Sequence, residues 1–588
     1  MGPVMDFPPV TLSDWRARVE KELAGRPFDK VLVQETMEGV AIAPLYTEAP
    51  AGEPLGRDVR ARPFRICMRQ APGASVDALT ADFEGGADAA WLRHDESLDG
   101  VFARHDPAST FFVFDTDDVS PVDTVERVAE HLRPASKPSF ALNCDPLARC
   151  ARNRAAFATL PDALTTLGHI ARFLEDRFPS ATAAMVSTLA YHDAGAGAAD
   201  ELAIALATGV RYLEALRESG LSPDQAARQI AVQISVGRDT FLELCKVRAL
   251  RTCWQKLLAA AGAGGAPRTL VHAVCSSRTL TVRDPWVNML RVTTQVFSAV
   301  LGGADLVTPS AFDQALGTPS ALGQRVARNT GLVLREESFL GKVTDPAGGS
   351  YYLETLTDAL AREAWKRFQA IEHEGGITAA LESGRLLAKL EAAWHERLAR
   401  VANRKTPILG VSEFANLDEK LPQSAASANA NAHDSASNDA SLPNGAPPNN
   451  DGALPIHRDA EAFEALRTRA EAAENPPEAL LVTLGPLAES RPRAGFAAGF
   501  FTAGGIRTRE GTEDERVAIA CLCGSDERYA AEATARARSL KAAGCERVLV
   551  AGRPGALEAA LRDAGVDGFI FVGCDAVATL SDLLGDPS

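Results

Sequence analysis

The sequence contains no run of about 18 uncharged apolar residues, so it predicts no membrane-spanning helix. Its first residues, Met1-Gly2-Pro3-Val4-Met5-Asp6, hold neither a basic stretch nor an apolar one, and predict no secretion leader. An excess of basic charge is also missing. Lys and Arg number 61 against 77 Asp and Glu, a formal charge of −16 that argues against nucleic acid as the main partner. Cysteines at metal-binding spacing are lacking too: Cys521-Leu522-Cys523 has no second pair to complete a zinc site. Reduced, buried thiols and a cytoplasmic location are the expectation. From Ser424 to Ala453 large apolar residues almost vanish, and such a stretch buries too little surface to offset its ordering entropy. It reads as a flexible low-complexity linker.

What is present is ordinary globular composition, 46% apolar and 23% charged. At 588 residues the chain exceeds one core and predicts several domains. Short apolar runs at Phe111–Phe114, Phe140–Asn143, Met185–Leu189, Ile230–Val236 and Leu270–Cys275 are strand-like. Leu202, Ile204, Leu206, Val210, Leu213 and Leu216 mark one face of a helix, with Asp200 or a neighbour as its cap and Gly220 as its stop. Repeated strand–helix alternation predicts a parallel (β/α)8 barrel. Ser187, Thr188, Gln233, Ser235, Ser276 and Ser277 fall on or beside these strands, so a hollow axis and outward-facing polar residues are both open readings.

Beyond the linker, strand-like runs at Leu480–Val482, Val517–Cys521, Arg547–Ala551 and Gly568–Val572 alternate with helical stretches at Ala488–Ala503 and Ala530–Ala543. These predict a doubly wound α/β unit of flavodoxin type. The predicted divisions are an N-terminal arm over 1–47, a barrel and following helices over 48–418, a linker over 419–456 and the C-terminal unit over 457–588. Gly302-Gly303 and Gly348-Gly349 lack phosphate-loop spacing and read as turns. Asp115-Thr116-Asp117-Asp118 resembles the start of a calcium loop, with Glu126 at the twelfth position. Val119 cannot ligate and Ser120 replaces the turn glycine, so a solvated turn is expected.

Several blocks resemble the acyl-CoA mutases that use adenosylcobalamin. They are Tyr191-His192-Asp193-Ala194-Gly195 with Glu201-Leu202-Ala203, Phe241 to Ala249, Asp284 to Arg291, Ala327-Arg328-Asn329-Thr330, and Asp345 to Tyr352 followed by Glu354-Thr355-Leu356-Thr357. They occur in family order across most of the chain. Tyr-His-Asp-Ala-Gly and Asp-Pro-Trp-Val-Asn-Met-Leu-Arg are similar to the small-subunit branch of the methylmalonyl-CoA mutases. The resemblance implies a barrel that threads the pantetheine arm of coenzyme A, capped by a flavodoxin-like domain that holds the corrin in catalytic chains. The implied chemistry is radical interconversion of (R)-methylmalonyl-CoA and succinyl-CoA.

Carried over position by position, the resemblance implies losses. Catalytic chains place the cobalt ligand in Lys-Met-Gly-Gln-Asp-Gly-His-Asp-Arg-Gly. Anchored on Gly485, the lysine becomes Thr483, the aspartate Leu487 and the histidine Glu489; no histidine occurs from Arg458 to Ser588. The tyrosine near the migrating group becomes Val59, ahead of Arg60-Ala61-Arg62-Pro63-Phe64. The arginine that pairs with the substrate carboxylate becomes Gln229, with Arg228 one position away. His272 matches a histidine that contacts the thioester carbonyl. It reads either as a retained acyl-CoA contact or as a strand-end histidine bonded to backbone.

The expectation is a chain that binds no cobalamin and no metal itself. It would support or regulate a large catalytic subunit carrying adenosylcobalamin, in a heterodimer to which the arm Phe7–Thr47 contributes contacts. A self-sufficient isomerase with non-standard cobalamin binding and a stand-alone acyl-CoA-binding regulatory module are the alternatives.

Overall fold

Strand β5 (Phe111–Asp115) shows how alternation builds this molecule. Phe112 and Phe114 project outward and meet Phe102, Phe83 and Phe140 at ring-centroid distances of 5.8–6.2 Å. Phe111 and Val113 project the other way, into a cluster with Cys67, Trp91, Met185 and Leu306. Period-2 alternation thus splits one apolar run between two cores. The computed structural model describes residues 10–50, 64–71, 74–93, 98–106, 109–116, 121–131, 138–422, 453–512 and 516–585. Most of the expected linker, and Val59, lie outside them.

Ahead of the barrel lies a two-stranded hairpin, β1 (Gln34–Glu35) and β2 (Ala41–Ile42). The barrel itself comprises β3 (Arg65–Arg69), β4 (Ala89–Arg93), β5, β6 (Phe140–Cys144), β7 (Thr182–Ser187), β8 (Ile230–Val236), β9 (Val271–Cys275) and β10 (Leu306–Thr308). All are parallel, and β10 closes onto β3. Five of these eight correspond to the strand-like runs of the sequence. β3 and β10 escape pattern reading because one is flanked by arginines and the other has only three residues.

The helix Ala198–Glu218 corrects one expectation. Its cap is Gly197, which has no side-chain acceptor, and Asp200 lies three residues inside. The acceptor comes from the N-terminal arm: the Glu38 carboxylate takes the Ala198 N–H at 2.9 Å. Asp200 instead pairs with Arg367 at 2.9 Å and Lys389 at 3.2 Å. Gly220 ends the helix as expected, at φ +94°. Upstream of Glu38 the arm's helix Leu12–Glu22 has no buried residue, although Thr11 and Asp14 form a full capping box.

The C-terminal unit is a parallel sheet of β11 (Glu478–Thr483), β12 (Arg507–Glu510), β13 (Ile519–Cys523), β14 (Arg547–Ala551) and β15 (Gly568–Ile570), in the order β12-β11-β13-β14-β15. β12 reads Arg-Thr-Arg-Glu and is an edge strand, which explains its lack of an apolar signature. Phe463, Phe500, Phe501 and Leu580 pack one face; Tyr529, Leu540 and Leu561 pack the other.

Charged groups join this unit to the barrel. Glu464 accepts the Val282 N–H at 2.6 Å, and the His457 N–H donates to the Asp193 carbonyl at 3.0 Å. Arg467, without solvent access, donates to the Asn416 carbonyl and pairs with Glu419, each at 2.8 Å. Removing one member of a buried pair strands the other in low dielectric. Arg467→Ala is expected to lower the free energy of unfolding by roughly 3 kcal/mol in chemical denaturation. A change below about 0.5 kcal/mol, typical of a surface site, would refute the clamp.

Candidate functional site

Two places could carry chemistry: the barrel axis and the carboxyl ends of the C-terminal strands. In the barrel, inward positions of four successive strands form one polar belt. Ser187 Oγ donates to Gln233 Oε1 at 2.8 Å, and Gln233 Nε2 donates to His272 Nδ1 at 3.1 Å. With Nδ1 accepting, His272 is the neutral Nε2–H tautomer, which donates to Thr308 Oγ1 at 2.7 Å. Burial, followed by the charge of Arg69, pushes His272 down to about 3.

His272 therefore differs from a backbone-bonded residue at a strand end. It is the second residue of β9, and both nitrogens bond side chains. Trp91 meets its ring edge-on at 5.5 Å, and Arg69 stands 4.4 Å over the indole. Cys67, Ala89, Val113, Ala141, Met185, Ala231 and Leu306 complete a buried apolar cluster inside the strands. Ser187, Gln233, His272 and Thr308 thus bond one another, beside a cluster of aliphatic and aromatic side chains inside the strands.

The remaining polar positions divide differently. Thr188 donates to Glu201, Ser276 bonds His192, and Ser277 donates to Asp193. Gln229 lies just before β8, four residues or roughly 13 Å along the strand from Gln233. Its Nε2 donates to Glu175 at 3.3 Å, and Arg228 pairs with the same carboxylate. Their shared partner is Glu175, whereas His272 bonds Gln233 and Thr308. Sequence reasoning missed Trp91 Nε1, Asp115 Oδ1 and Asn143 Oδ1, buried polar atoms without a hydrogen-bond partner among the described residues. Strand alternation places all three on the inward face. An aromatic within Ala-Ala-Trp-Leu-Arg was the available signal.

The blocks that carried the family resemblance meet as ionic scaffolding. His192 Nδ1 lies 2.8 Å from Glu201, and Lys246 lies 2.9 Å from Glu201 and 2.7 Å from Glu243. Burial raises the Glu201 pKa, but Lys246 and His192 outweigh it and hold the carboxyl below its usual range. Burial and then Arg278 push His192 down to about 4. Arg248 pairs with Asp345 at 2.9 Å and Glu354 at 3.0 Å, and donates to Thr357 at 3.0 Å. Asn288 Nδ2 donates to Thr281 and Phe312 carbonyls, while Arg328 pairs with Asp82 at 2.8 Å.

In the C-terminal unit the three carried-over positions lie around the β11 loop. Thr483 ends the strand, Leu487 opens the helix Leu487–Ala503, and Glu489 lies in its first turn. The Leu487 side chain is 60% exposed. Glu489 is paired with Arg528 at 2.9 Å. Behind them the Leu484 N–H donates to the Cys523 carbonyl at 2.8 Å, and a Cβ on Gly524 would come within 2.9 Å of Leu484 Cβ. Tyr529 Oη donates to the Ala551 carbonyl at 2.7 Å and accepts the Gly524 N–H at 3.0 Å. Burial drives the Tyr529 pKa well up, so the phenol stays protonated. Arg493 covers its ring at 4.9 Å and donates to the Gly524 carbonyl at 2.8 Å.

These residues do not fit the cobalt-ligating set of the resemblance. An imidazole and its orienting carboxylate are required; the positions offer a committed glutamate and an exposed leucine. Cys521 and Cys523 lie in the apolar core, and among the described residues no group of three metal-ligating side chains is assembled. The calcium-like positions 117–120 lie outside the described residues.

The two depressed histidines make acid stability testable. Their folded pKa values, about 4 and about 3, lie below the ordinary 6.5, so the unfolded chain binds more protons in between. Stability is therefore lost as pH falls from 6.5. Asp193, raised by burial to about 6, opposes this over part of the range. His272→Gln is expected to flatten the pH dependence of unfolding below 6.5, by up to about 1.4 kcal/mol per pH unit. An unchanged slope would contradict the neutral assignment.

Comparison with known proteins matches this geometry to a family. A family model described as methylmalonyl-CoA mutase matches residues 130–440. The methylmalonyl-CoA mutase small subunit of Streptomyces virginiae is 36% identical, over 98% of this chain and 97% of the relative. That of Propionibacterium freudenreichii subsp. shermanii is 34% identical, over 99% and 96%. A methylmalonyl-CoA mutase of Escherichia coli (strain K12) is 34% identical over only 39% of this chain and 33% of its own. The chain belongs to the methylmalonyl-CoA mutase family, and its full-length likeness is to relatives named small subunit.

Proposed function

We propose that this chain is a non-catalytic subunit that pairs with a larger mutase chain and stabilises or regulates it, leaving radical chemistry to adenosylcobalamin in that partner. The observation that carries the reading is Glu489: the residue at the cobalt-ligand position is a carboxylate paired with Arg528 at 2.9 Å. An anionic, already paired side chain is a poor substitute for a neutral imidazole. The β12-β11-β13-β14-β15 order supports reading this sheet as a flavodoxin-like unit, whose ligand crevice would lie at the strand carboxyl ends. Leu484, Gly524 and Tyr529 pack against one another where β11 and β13 end. A self-sufficient isomerase would need a free cobalt ligand and a free imidazole; Glu489 and His272 are both engaged.

The reading also assigns the arm a role. Leu12 is 51% and Val31 41% exposed, on helices with no buried residue, while Glu38 anchors the arm's root at the barrel. Exposed apolar side chains on a tethered segment suit a subunit contact.

Two measurements test this. The purified chain mixed with adenosylcobalamin and (R)-methylmalonyl-CoA should show neither turnover nor the spectral change of histidine ligation. Either signal from the chain alone overturns the proposal. Deleting residues 1–33 should leave the chain's own melting temperature within about 2 °C but weaken pairing with the large subunit by at least roughly tenfold. Undiminished pairing removes the arm from the interface.

A further inference from the structure

Among the described residues, the seam between barrel and C-terminal unit gathers arginines around one buried carboxylate. Asp459, just ahead of the helix Glu461–Ala472, is 3% exposed. Arg278, from the loop after β9, places Nε 3.5 Å from one of its oxygens; Arg238, from the loop after β8, places Nη2 3.7 Å from the other. Arg397, on the helix Arg385–Ala402, acts electrostatically on both Asp459 and Arg278. Two guanidinium groups therefore pair with one carboxylate, and the charge of a third acts on it.

The pairing is loose as well as unequal. Both separations exceed normal charge-assisted hydrogen-bond length. Asp459 Oδ1, Arg278 Nε and Arg397 Nε are buried atoms with no hydrogen-bond partner among the described residues. Arg278 is itself 4% exposed, and its Nη1 is occupied by the carbonyls of His192 and Ala196. Arg238 Nη1 donates to the Pro407 carbonyl.

Nearby acids are engaged elsewhere. Glu201 bridges Lys246 and His192, Glu464 pairs with Arg458, and Asp193 accepts from Ser277. Burial and then Arg397 depress Arg278 to about 10, outweighing the opposing charges of Asp459, Glu201 and Asp193. Buried cations with unused N–H groups are the chemistry of an oxyanion site.

We propose that Arg238, Arg278 and Arg397, arranged around Asp459, bind a small oxyanion of phosphate or carboxylate type at the seam. The ligand supplies the missing negative charge and the acceptors that Arg278 Nε and Arg397 Nε lack. Because the three arginines come from two barrel loops and a following helix, and Asp459 from the C-terminal unit, occupancy tightens the junction between them. The site uses none of the residues named around the β11 loop, and it is independent of whether this chain turns over.

The test is calorimetric unfolding of the full chain titrated with inorganic phosphate, and in parallel with succinate, at ionic strength held constant with chloride. A saturable rise in melting temperature with either oxyanion, beyond the chloride control, is expected. Which of the two acts identifies the source. Arg397→Met, at a half-buried helical position, should weaken that response about tenfold, and Asp459→Asn should strengthen it by removing the internal competitor. Oxyanions that act no more strongly than chloride, or a response unchanged in Arg397→Met, would overturn the proposal. Should Asp459→Asn fail to fold, the Arg397→Met titration decides alone.

Discussion

Lys246 has no access to water, and an ammonium group in that position is tolerated only if carboxylates reach it. Glu243, three residues earlier on the same helix, and Glu201, on the helix Ala198–Glu218, do so at 2.7 and 2.9 Å. Glu201 also takes Thr188 and His192, and His192 reaches Ser276 beyond β9. One buried cation thereby fixes two long helices and two strand ends in a single register. Apolar packing supplies the driving force for the barrel, but tolerates small slides. A charged network does not, because each displacement leaves an uncompensated ion.

The same rule explains why the family's recognisable words survive here. Arg248 needs Asp345 and Glu354; Arg328 needs Asp82; Arg467 needs Glu419. These are requirements of the scaffold, and they hold whether or not any chemistry occurs. Glu489 and Leu487 belong to no such buried network, being surface residues at the mouth of the C-terminal sheet. A fold of this kind can lose a ligand set there without losing the architecture.

Much of the fold was legible from pattern. β8 and β14 match their apolar runs residue for residue, and Gly220 stops its helix with positive φ. The elements that escaped have physical reasons: β10 is too short to show alternation, and β12 is a polar edge strand. Asp200 or a neighbour is the expected cap because an acidic residue near a helix start is a local signal. The actual acceptor, Glu38, lies 160 positions away.

The sequence by itself determined the parallel barrel, the second α/β unit, the family, and the absence of a histidine beyond position 457. Each depends on local periodicity or on residue identity. Only the tertiary structure decided which polar side chains are committed. Ser187, Gln233, His272 and Thr308 are separated by 46, 39 and 36 positions, and become one belt only when neighbouring strands align. His272 is bonded rather than free for the same reason that Asp459 is crowded by arginines. Hydrogen-bond and charge partners across a barrel are set by strand register and loop approach, and these have no counterpart in the linear order of residues.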